Sequence, residues 1–408
     1  MHLVGHIDSD CFYVSCERVR RPALRGIPVG VLGNQGACVI AKSYELKNAG
    51  VPTGMPIWDA MPICPDAVFV KRDFEWYEVL SRQMLEAVRA VSPSVEYYSI
   101  DEQFFDADYL EREFGPGIEQ ATHALQRRIL ASVRIPVSIG VAPTRTFAKL
   151  LSKSVKPFGV GVITDSTEAL DRFASAPVDR ITGVAKRSKQ KLLAYSIATC
   201  GEFANADRRL IRKLLTKTGE ELWWELNGTK TKPILTSRPR NKMLARGGSV
   251  GTASDDRDRL LAWVARNSER IIEALDHHEL FTAELILTLR FKSGLSFSSR
   301  RALPMSTAAF TFLFGAASSM FDESWSPGRS VSHMHLVASS LTYRFAVQQS
   351  LFDNETEKER RIAAAKKEVN AKVGRFAVRS GATLPLYELY NDEASDYETC
   401  DIYGTTCF

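Results

Sequence analysis

The chain has 408 residues and a formal net charge of +5. At roughly 100–200 residues per domain, this length excludes a single small domain and predicts two to four units. Its seven cysteines form no CxxC pair, which excludes a zinc ribbon and a disulfide framework and indicates a reducing compartment.

Charge is distributed unevenly along the chain. Residues 180–246 contain 16 Lys and Arg against 5 Asp and Glu, whereas residues 381–408 contain six acids and neither Lys nor Arg. The basic middle favours a polyanionic partner, although a merely solvated surface would have the same composition. The aromatic residues of the acidic tail favour docking, for example onto the protein's own body, over a disordered run.

Two features bear on membranes and secretion. The N-terminus, MHLVGHIDSD, lacks the basic and long apolar regions of a signal peptide. Residues 303–321 are uncharged, but they include Pro304 and Gly315 and place their bulky side chains on one helical stripe, which favours a buried helix over a membrane span. We therefore expect a cytoplasmic protein that does not bind membranes.

The first predicted strand, LVGHID, ends at Asp8, and a second, VEYYSI, ends at Asp101. Helices are predicted over residues 74–91 and 117–134, and the strand PVSIGVAP follows. Alternating strands and helices indicate an α+β or α/β layer, in which neighbouring strand ends bring Asp8 beside Asp101 and Glu102. Adjacent ionised carboxylates in a strand resist desolvation and need a positive partner. The simpler alternative is an acidic dipeptide that ends a strand at the surface.

The three acids lack accompanying histidines or thiolates, which favours Mg²⁺ or Mn²⁺ over Zn²⁺. A pair of such ions suits in-line displacement at phosphorus, because one activates the attacking oxygen and the other stabilises the leaving group. The pattern therefore indicates phosphoryl or nucleotidyl transfer. The histidines show no metal-binding spacing, and no further acidic cluster suggests a proofreading exonuclease.

A different pattern follows residue 238. It contains a short strand near GGSVGTA, a helix over residues 255–278, the strands AELILTLRFK and SFSSRRAL, the apolar helix, and a strand in SVSHMHLVASSLTYR. The order is β-α-β-β-α-β. Within ELILTLRFK, Leu285, Leu287, Leu289 and Phe291 alternate with more polar residues, so one face of the sheet packs and the other is open.

Four stretches, in this order, carry a resemblance to a known family: HIDSDCFYVSCERVRRPALRGIPVGVLG, CVIAKSYELKNAGVPTGMP, YYSIDEQFFD and SIGVAPTRTFAKLLSKSVKPFGVGVI. Together they resemble the Y-family, or translesion, DNA polymerases of the DinB and UmuC group. The resemblance implies an α+β multidomain fold: a right-hand polymerase with a ferredoxin-like palm, small fingers, a helical helix-hairpin-helix thumb and a β-α-β-β-α-β little finger.

The same resemblance implies domain boundaries. We expect the palm at residues 1–10 and 75–165, the fingers at 11–74, the thumb at 166–236 and the little finger at 237–345. Residues 346–408 would hold a clamp-binding peptide and a C-terminal tail.

By resemblance, Asp8, Asp101 and Glu102 are the catalytic acids, and they bind metal together with the backbone carbonyl of Ser9. The implied cofactor is Mg²⁺, as two ions, for which Mn²⁺ can substitute. Asp10 falls outside this set, and we interpret it as a turn residue that satisfies local backbone groups.

The resemblance also implies a nucleotide site. Tyr13 takes the position of the steric gate, whose ring leaves no room for the 2′-hydroxyl of a ribonucleotide. Lys47 stands where the family usually has arginine, so we expect phosphate binding with looser orientation. The remaining expected nucleotide contacts are Phe12, Ile40, Tyr44 and Lys156.

DNA contacts are expected in two places. Backbone N–H groups and basic side chains near a turn before a thumb helix suit phosphate binding, which points to Lys186, Arg187 and Lys189. On the little-finger sheet the expected phosphate contacts are Arg290, Lys292, Arg300 and Arg301, although each is equally consistent with a solvated surface charge.

The segment QQSLFD resembles the short peptide by which bacterial polymerases dock on the sliding clamp. Gln348 would be the amide anchor, and Leu351 and Phe352 the apolar plug.

We therefore expect a monomeric, DNA-dependent DNA polymerase that uses dNTPs and primer–template DNA. The resemblance further implies low fidelity and tolerance of damaged templates. Two alternatives from other classes stay open. A nucleotidyl cyclase would need no basic thumb, and a non-catalytic accessory protein would have little reason to retain all three acids.

Overall fold

The computed structural model describes residues 2–33, 38–237, 241–346 and 357–390. The chain divides into two compact units, Met1–Arg238 and Pro239–Phe408. Within the described residues, no helix combines the length and apolar character needed to cross a membrane.

The first unit contains two small sheets and eleven helices among its described residues. In chain order these are β1 (Val4–Ser9), α1 (Phe12–Arg20), β2 (Val29–Leu32), β3 (Val39–Lys42), α2 (Tyr44–Asn48), α3 (Ile57–Ile63), β4 (Val68–Lys71), α4 (Phe74–Arg89), β5 (Val95–Tyr97), β6 (Glu102–Asp106), α5 (Leu110–Phe114), α6 (Ile118–Val133), β7 (Val137–Ala142), α7 (Arg145–Ser154), β8 (Val160–Val162), α8 (Ser166–Phe173), α9 (Lys186–Leu193), α10 (Cys200–Asn205) and α11 (Arg208–Leu226).

The larger sheet of this unit has the strand order β5-β6-β1-β7-β8. The central strand β1 runs antiparallel to both β6 and β7, and all six of its residues are buried. Helix α7 packs closely on β7, where a Cβ added to Gly140 would lie 2.2 Å from a backbone carbonyl of α7. Glycine at this position therefore permits the close approach of helix and strand.

The smaller sheet has the order β3-β2-β4 and packs its own apolar core around Leu46 and Val51. Helices α8 to α11 share one continuous core with α7 and the larger sheet, and its buried residues include Phe203 and Ile211. Together these regions form the palm, fingers and thumb of a right-hand polymerase fold, while the residue boundaries that we gave for them stay predictions.

The second unit contains one sheet and four helices among its described residues. They are β9 (Leu244–Ser254), α12 (Arg257–His277), β10 (Leu280–Phe291), β11 (Ser296–Thr307), α13 (Phe310–Ser324), β12 (Val331–Tyr343), α14 (Glu357–Val373) and α15 (Tyr387–Tyr390). The sheet order is β11-β10-β12-β9, with every pairing antiparallel. The predicted β-α-β-β-α-β order is therefore confirmed, and the buried side chains Leu285, Leu287 and Leu289 face α12 and α13.

A C-terminal segment covers the side of α12 that faces away from the sheet. Arg375 forms two hydrogen bonds of 2.5 and 2.7 Å with Glu273, and the Ser380 N–H donates to Glu269 at 2.7 Å. Lys366 also bonds Glu269, and Leu386 is buried in the core of the unit. The segment from Lys366 to Leu386 therefore packs on α12, while docking of the acidic tail onto the protein's own body stays a prediction.

Candidate active site

The three predicted acids lie together at one end of the larger sheet. Asp8 stands opposite Glu102 of β6 and opposite Ser138 of β7. The Ser9 N–H donates to the Asp101 carbonyl at 2.9 Å, which holds the turn before β6 against the end of β1. The antiparallel sheet therefore brings together residues that are more than 90 positions apart in the sequence.

One predicted boundary is wrong. The strand expected to reach Asp101 ends at Tyr97, and the next strand begins at Glu102. Asp101 lies in the turn between these two antiparallel strands, where Ser99 Oγ donates to its carboxylate at 2.6 Å and accepts the Glu102 N–H at 3.1 Å. Two consecutive antiparallel strands need a turn between them, and the Ser99 hydroxyl forms hydrogen bonds with the polar groups of that turn.

Lysine ammonium groups contact two of the three acids. Lys156 bonds the Asp8 carboxylate and donates to the Ser9 carbonyl at 3.3 Å. The buried Lys149 donates to Glu102 at 2.7 Å, and Lys153 lies 4.0 Å from the same carboxylate. Positive charge from the chain itself therefore accompanies Asp8 and Glu102.

Burial dominates the electrostatics of the acids. It raises the pKa of Asp8 to about 6, against the opposing charge of Lys156 and with smaller contributions from Glu102 and Asp101. Burial also raises the pKa of Asp101, although the hydrogen bond from Ser99 lowers it. Additional positive charge at this end of the sheet would therefore favour the ionised forms of Asp8 and Asp101.

The donor set fits a hard divalent cation, since it consists of three carboxylates and the Ser9 carbonyl. A different group has the tighter spacing: among the described residues, His2, Asp106 and Asp108 have ligand atoms that all lie within 4.8 Å of one another. This group is at the opposite end of β6 from Glu102. His2 is 83% exposed and already bonds Asp108, so the group is consistent with a surface ion pair.

Tyr13 lies on a platform of aromatic rings. Its ring stacks on Tyr77 with a centroid distance of 4.8 Å and an interplanar angle of 19°, and Phe74 meets its edge at 5.5 Å. The Tyr77 hydroxyl donates to the buried Glu17 at 2.7 Å. Phe12, by contrast, is 5% exposed and belongs to the core.

Tyr44 and Lys47 share one face of α2, as predicted from their spacing. The Lys47 ammonium lies 5.9 Å from the centroid of the Tyr44 ring, and Lys47 is exposed. The Tyr44 hydroxyl donates to Asp10 at 3.3 Å. Ile40 is half-buried in β3.

The interpretation of Asp10 as a locally bonded turn residue is wrong. Its carboxylate accepts from the Ser138 hydroxyl and from the Phe158 N–H, both more than 120 positions away in the sequence. A two-residue strand–helix junction has few donors of its own, so the buried carboxylate is satisfied by other segments.

The thumb residues differ in their availability. Lys186 and Arg187 are exposed at the first turn of α9, directly after the turn that contains Gly183. Lys189 forms an ion pair with Asp179 at 2.8 Å.

The little-finger residues also divide into two groups. Arg290, Lys292 and Arg300 are exposed, and Arg300 stands opposite Ile286 on the open face. Arg301 stands opposite the buried Leu285 and pairs with Glu323 of α13 at 2.6 Å. Successive strand residues point to opposite faces, so Arg301 lies on the face that packs against α13, and its expected place beside Arg300 on the open face is wrong.

Gln348, Leu351 and Phe352 lie outside the described residues. The clamp-binding peptide therefore stays a prediction.

Sequence reasoning missed several residues that support the site. Lys149 and His6 flank Glu102: His6 Nε2 lies 3.9 Å from its carboxylate, and burial holds the pKa of His6 well below its ordinary value. Tyr77 stacks on Tyr13, and Glu17 accepts a hydrogen bond from the Tyr77 hydroxyl. The four-residue spacing of Tyr13 and Glu17 indicates in the sequence that both lie on one face of α1.

Family models and individual relatives agree on what this chain is similar to. The impB/mucB/samB family model matches residues 7–153, and the model of that family's C-terminal domain matches residues 241–351. DNA polymerase IV 1 of Bacillus subtilis (strain 168) is 29% identical over 395 residues, covering 95% of this chain and 94% of the relative. DNA polymerase IV of Oceanobacillus iheyensis is 33% identical over 229 residues, which cover 55% of this chain and 54% of the relative.

Solved structures show the same fold. A Y-family DNA polymerase chimera of Dbh and Dpo4 superposes with a TM-score of 0.72 at 22% identity, covering 84% of this chain and all of the neighbour. A structure described as an insertion ternary complex of Dbh DNA polymerase gives a TM-score of 0.55 at 21% identity, with the same coverage. With its two family domains and this fold, the chain belongs to the impB/mucB/samB family, the Y-family of DNA polymerases.

Proposed function

We propose that this DNA-directed DNA polymerase adds dNTPs to a primer 3′-hydroxyl by two-metal nucleotidyl transfer, bypasses template lesions and has no proofreading activity. The observation that supports the proposal is the convergence of Asp8, Asp101 and Glu102 at one end of the palm sheet, where burial raises the pKa of the first two. Such a site is stabilised by added positive charge.

Two divalent cations held by these acids and the Ser9 carbonyl would supply the charge that activates the 3′-hydroxyl and stabilises the leaving pyrophosphate. The chain's own residues orient the nucleotide. Lys47 would offer its ammonium group to the phosphate oxygens. Lys156 and Tyr44 would do so on leaving their present partners, Asp8 and Asp10. Mg²⁺ is the proposed ion, for which Mn²⁺ would substitute.

Sugar selection is proposed to depend on Tyr13. Because its ring stacks on Tyr77 and abuts Phe74, it has little freedom to move away from a 2′-hydroxyl. Tyr13→Ala should raise ribonucleotide incorporation, while Tyr13→Phe, which keeps the ring, should discriminate as the wild type does. Single-nucleotide kinetics with matched dNTP and rNTP would test this, and unchanged discrimination in the alanine variant would contradict it.

Primer–template DNA is the proposed macromolecular partner. The exposed Arg290 and Arg300 lie on the open face of the sheet and Lys292 lies in the turn after β10, where phosphate contacts would fix position without reading sequence. Lys186 and Arg187 would add contacts at the first turn of α9.

A sliding clamp is a second proposed partner, bound through Gln348, Leu351 and Phe352. Clamp titration should show weaker binding by a Leu351→Ala/Phe352→Ala variant, and equal affinities would refute this assignment. A monomeric state and a cytoplasmic location stay predictions.

Primer extension on undamaged and abasic templates tests the whole proposal, with Asp101→Ala/Glu102→Ala as the control. Extension by the wild type alone would support both the polymerase and its acids, and passage beyond the abasic site would support translesion synthesis. Tight DNA binding without extension would favour a non-catalytic accessory protein instead.

A further inference from the structure

The open face of the second unit's sheet carries two histidines among its described residues. His333 and His335 are two positions apart on β12, and the intervening Met334 is buried, so both imidazoles lie on the face away from the helices. His333 is half-buried and stands directly opposite Arg290 of β10, a proposed phosphate contact. A guanidinium and an imidazole are therefore cross-strand neighbours on the proposed DNA-binding face.

The hydrogen bonds of Ser332 determine which nitrogen of neutral His333 carries the hydrogen. The Ser332 hydroxyl donates its single proton to the Arg290 carbonyl at 3.0 Å, and its oxygen lies 3.1 Å from His333 Nδ1. That oxygen can therefore only accept from the ring, which places the hydrogen on Nδ1. A neutral imidazole has one N–H, so Nε2 has a bare lone pair, and it has no hydrogen-bond partner within the described part of the chain.

This arrangement makes phosphate binding by His333 depend on its protonation. A phosphate oxygen is an acceptor that carries negative charge, so the lone pair of Nε2 repels it. A proton taken from solvent onto Nε2 converts this nitrogen into a donor, and its bond to a phosphate is then charge-assisted. The protonated ring would also stand opposite Arg290, and like charges on paired residues repel each other. A phosphate bound between the two groups compensates both charges.

The second histidine is less suited to take up the proton. Its ring lies beside Gly247 of β9, where an added Cβ would be 3.0 Å from His335 Nδ1. Burial lowers the pKa of His335, and the charge of a protonated His333 lowers it further. A group with a lowered pKa stays neutral at pH values where an ordinary imidazole is protonated, so we assign the proton to His333.

The other charged groups on this face are mostly basic. Strand β9 contributes the uncharged Gly247 and Ser249 opposite the two histidines. The charged residues that β10, β11 and the turn after β10 present are Arg290, Lys292, Arg300 and Glu284. Glu284 lies 3.5 Å from Arg300 and accepts from the Ser339 hydroxyl at 2.5 Å. The face therefore attracts a polyanion, and one further positive charge would strengthen that attraction.

We propose that His333 and Arg290 form a binding site for a phosphate of the DNA backbone that requires a proton on His333, so that DNA binding is coupled to proton uptake. This inference rests on the proposed role of the open face in DNA binding. It assigns no catalytic role to either residue.

Fluorescence anisotropy with primer–template DNA in EDTA, without dNTP and at constant ionic strength, tests the proposal. We expect wild-type affinity to rise between pH 8 and pH 6 by about fivefold more than that of His333→Asn, whose amide can still donate to Ser332 but has no group at the position of Nε2. His333→Arg, which is charged throughout this range, should bind more tightly than the wild type at pH 8 and about equally at pH 6. An equal pH dependence in the wild type and His333→Asn would overturn the proposal.

The matched control is His277→Gln, which alters an exposed histidine at the end of α12. It should keep the pH dependence of the wild type. Loss of the pH dependence in this control would also overturn the assignment to His333.

Two measurements on the wild type do not require a variant to fold. Calorimetric titration with the same DNA in two buffers of different ionisation enthalpy should show the uptake of about half a proton per bound DNA at pH 7. The ¹⁵N chemical shifts of the histidine rings should show one imidazole that is an Nδ1–H tautomer in the free protein and gains a second N–H in the complex. No proton uptake, or no imidazole that gains a proton, would refute the inference.

Primer extension with Mg²⁺ and dNTPs separates this inference from the proposed function. Extension by the wild type, together with DNA binding whose pH dependence His333→Asn leaves unchanged, would overturn only the phosphate site. Proton-linked DNA binding without any extension would support the phosphate site and overturn only the proposed polymerase activity.

Discussion

Asp8 is expected to be a functional residue that destabilises the folded protein. Its pKa is about 6 in the fold against an ordinary value of 3.8. Well above pH 6 the carboxylate is ionised in both the folded and the unfolded chain, but ionisation is less favourable in the fold. The difference corresponds to about 3 kcal/mol at pH 7.5.

Asp8→Asn should therefore raise the free energy of unfolding of the first unit by about 3 kcal/mol at pH 7.5, because the amide resembles the protonated acid. The gain should fall to about half of this at pH 5, where Asp8 is largely protonated in the fold. Lys156 loses one partner in this variant but keeps Asp10 at 3.6 Å. Activity should be abolished.

Hydrogen exchange of the amides in β1 and β7, corrected for intrinsic rates, would measure this free energy without requiring the second unit to unfold. Asp66→Asn, at an exposed position, is the matched control and should change stability by less than about 0.5 kcal/mol. Mg²⁺ should increase protection in the wild type more than in Asp8→Asn. Equal protection of variant and wild type at pH 7.5, or a gain that persists undiminished at pH 5, would refute the reasoning.

Three other perturbations have defined outcomes. Lys149→Met leaves Glu102 without its 2.7 Å ammonium partner and should lower kcat by about tenfold, while Lys149→Arg should retain most activity in single-turnover extension. Gly140→Ala should destabilise the first unit by about 2–4 kcal/mol, since its Cβ would clash with α7, and an unchanged melting temperature would contradict this. Arg300→Ala should weaken DNA binding and reduce its salt dependence, whereas Arg301→Ala should do neither; fluorescence anisotropy over a salt series would compare them.

The sequence was sufficient to predict that Asp8 and Glu102 would meet. Both border apolar runs that suit buried strands, and short strands of one sheet bring distant residues to a common edge. The alternation in β10 likewise predicted which residues would be buried, because the side-chain period of a strand is two. The β-α-β-β-α-β order followed from the same local patterns.

The hydrogen-bond partners of buried polar side chains could not be predicted in the same way. The contacts of Asp10 with Ser138 and Phe158 depend on strand register and on the path of the loop after α7, neither of which local pattern encodes. The placement of Arg301 is different, since the two-residue period shows that adjacent arginines cannot share a face. The sequence alone therefore assigns Arg300 and Arg301 to opposite faces of the sheet.

The covering of α12 by residues 366–386 has a consequence for synthesis of the protein. Helix α12 leaves the ribosome roughly a hundred residues before the segment that completes its surroundings, and domains fold as their chains emerge. Until Arg375 and Ser380 arrive, Glu273 and Glu269 lack their partners in that segment. A polypeptide terminated before Gly381 would lack Leu386 and would leave the part of the core that packs against it exposed to solvent.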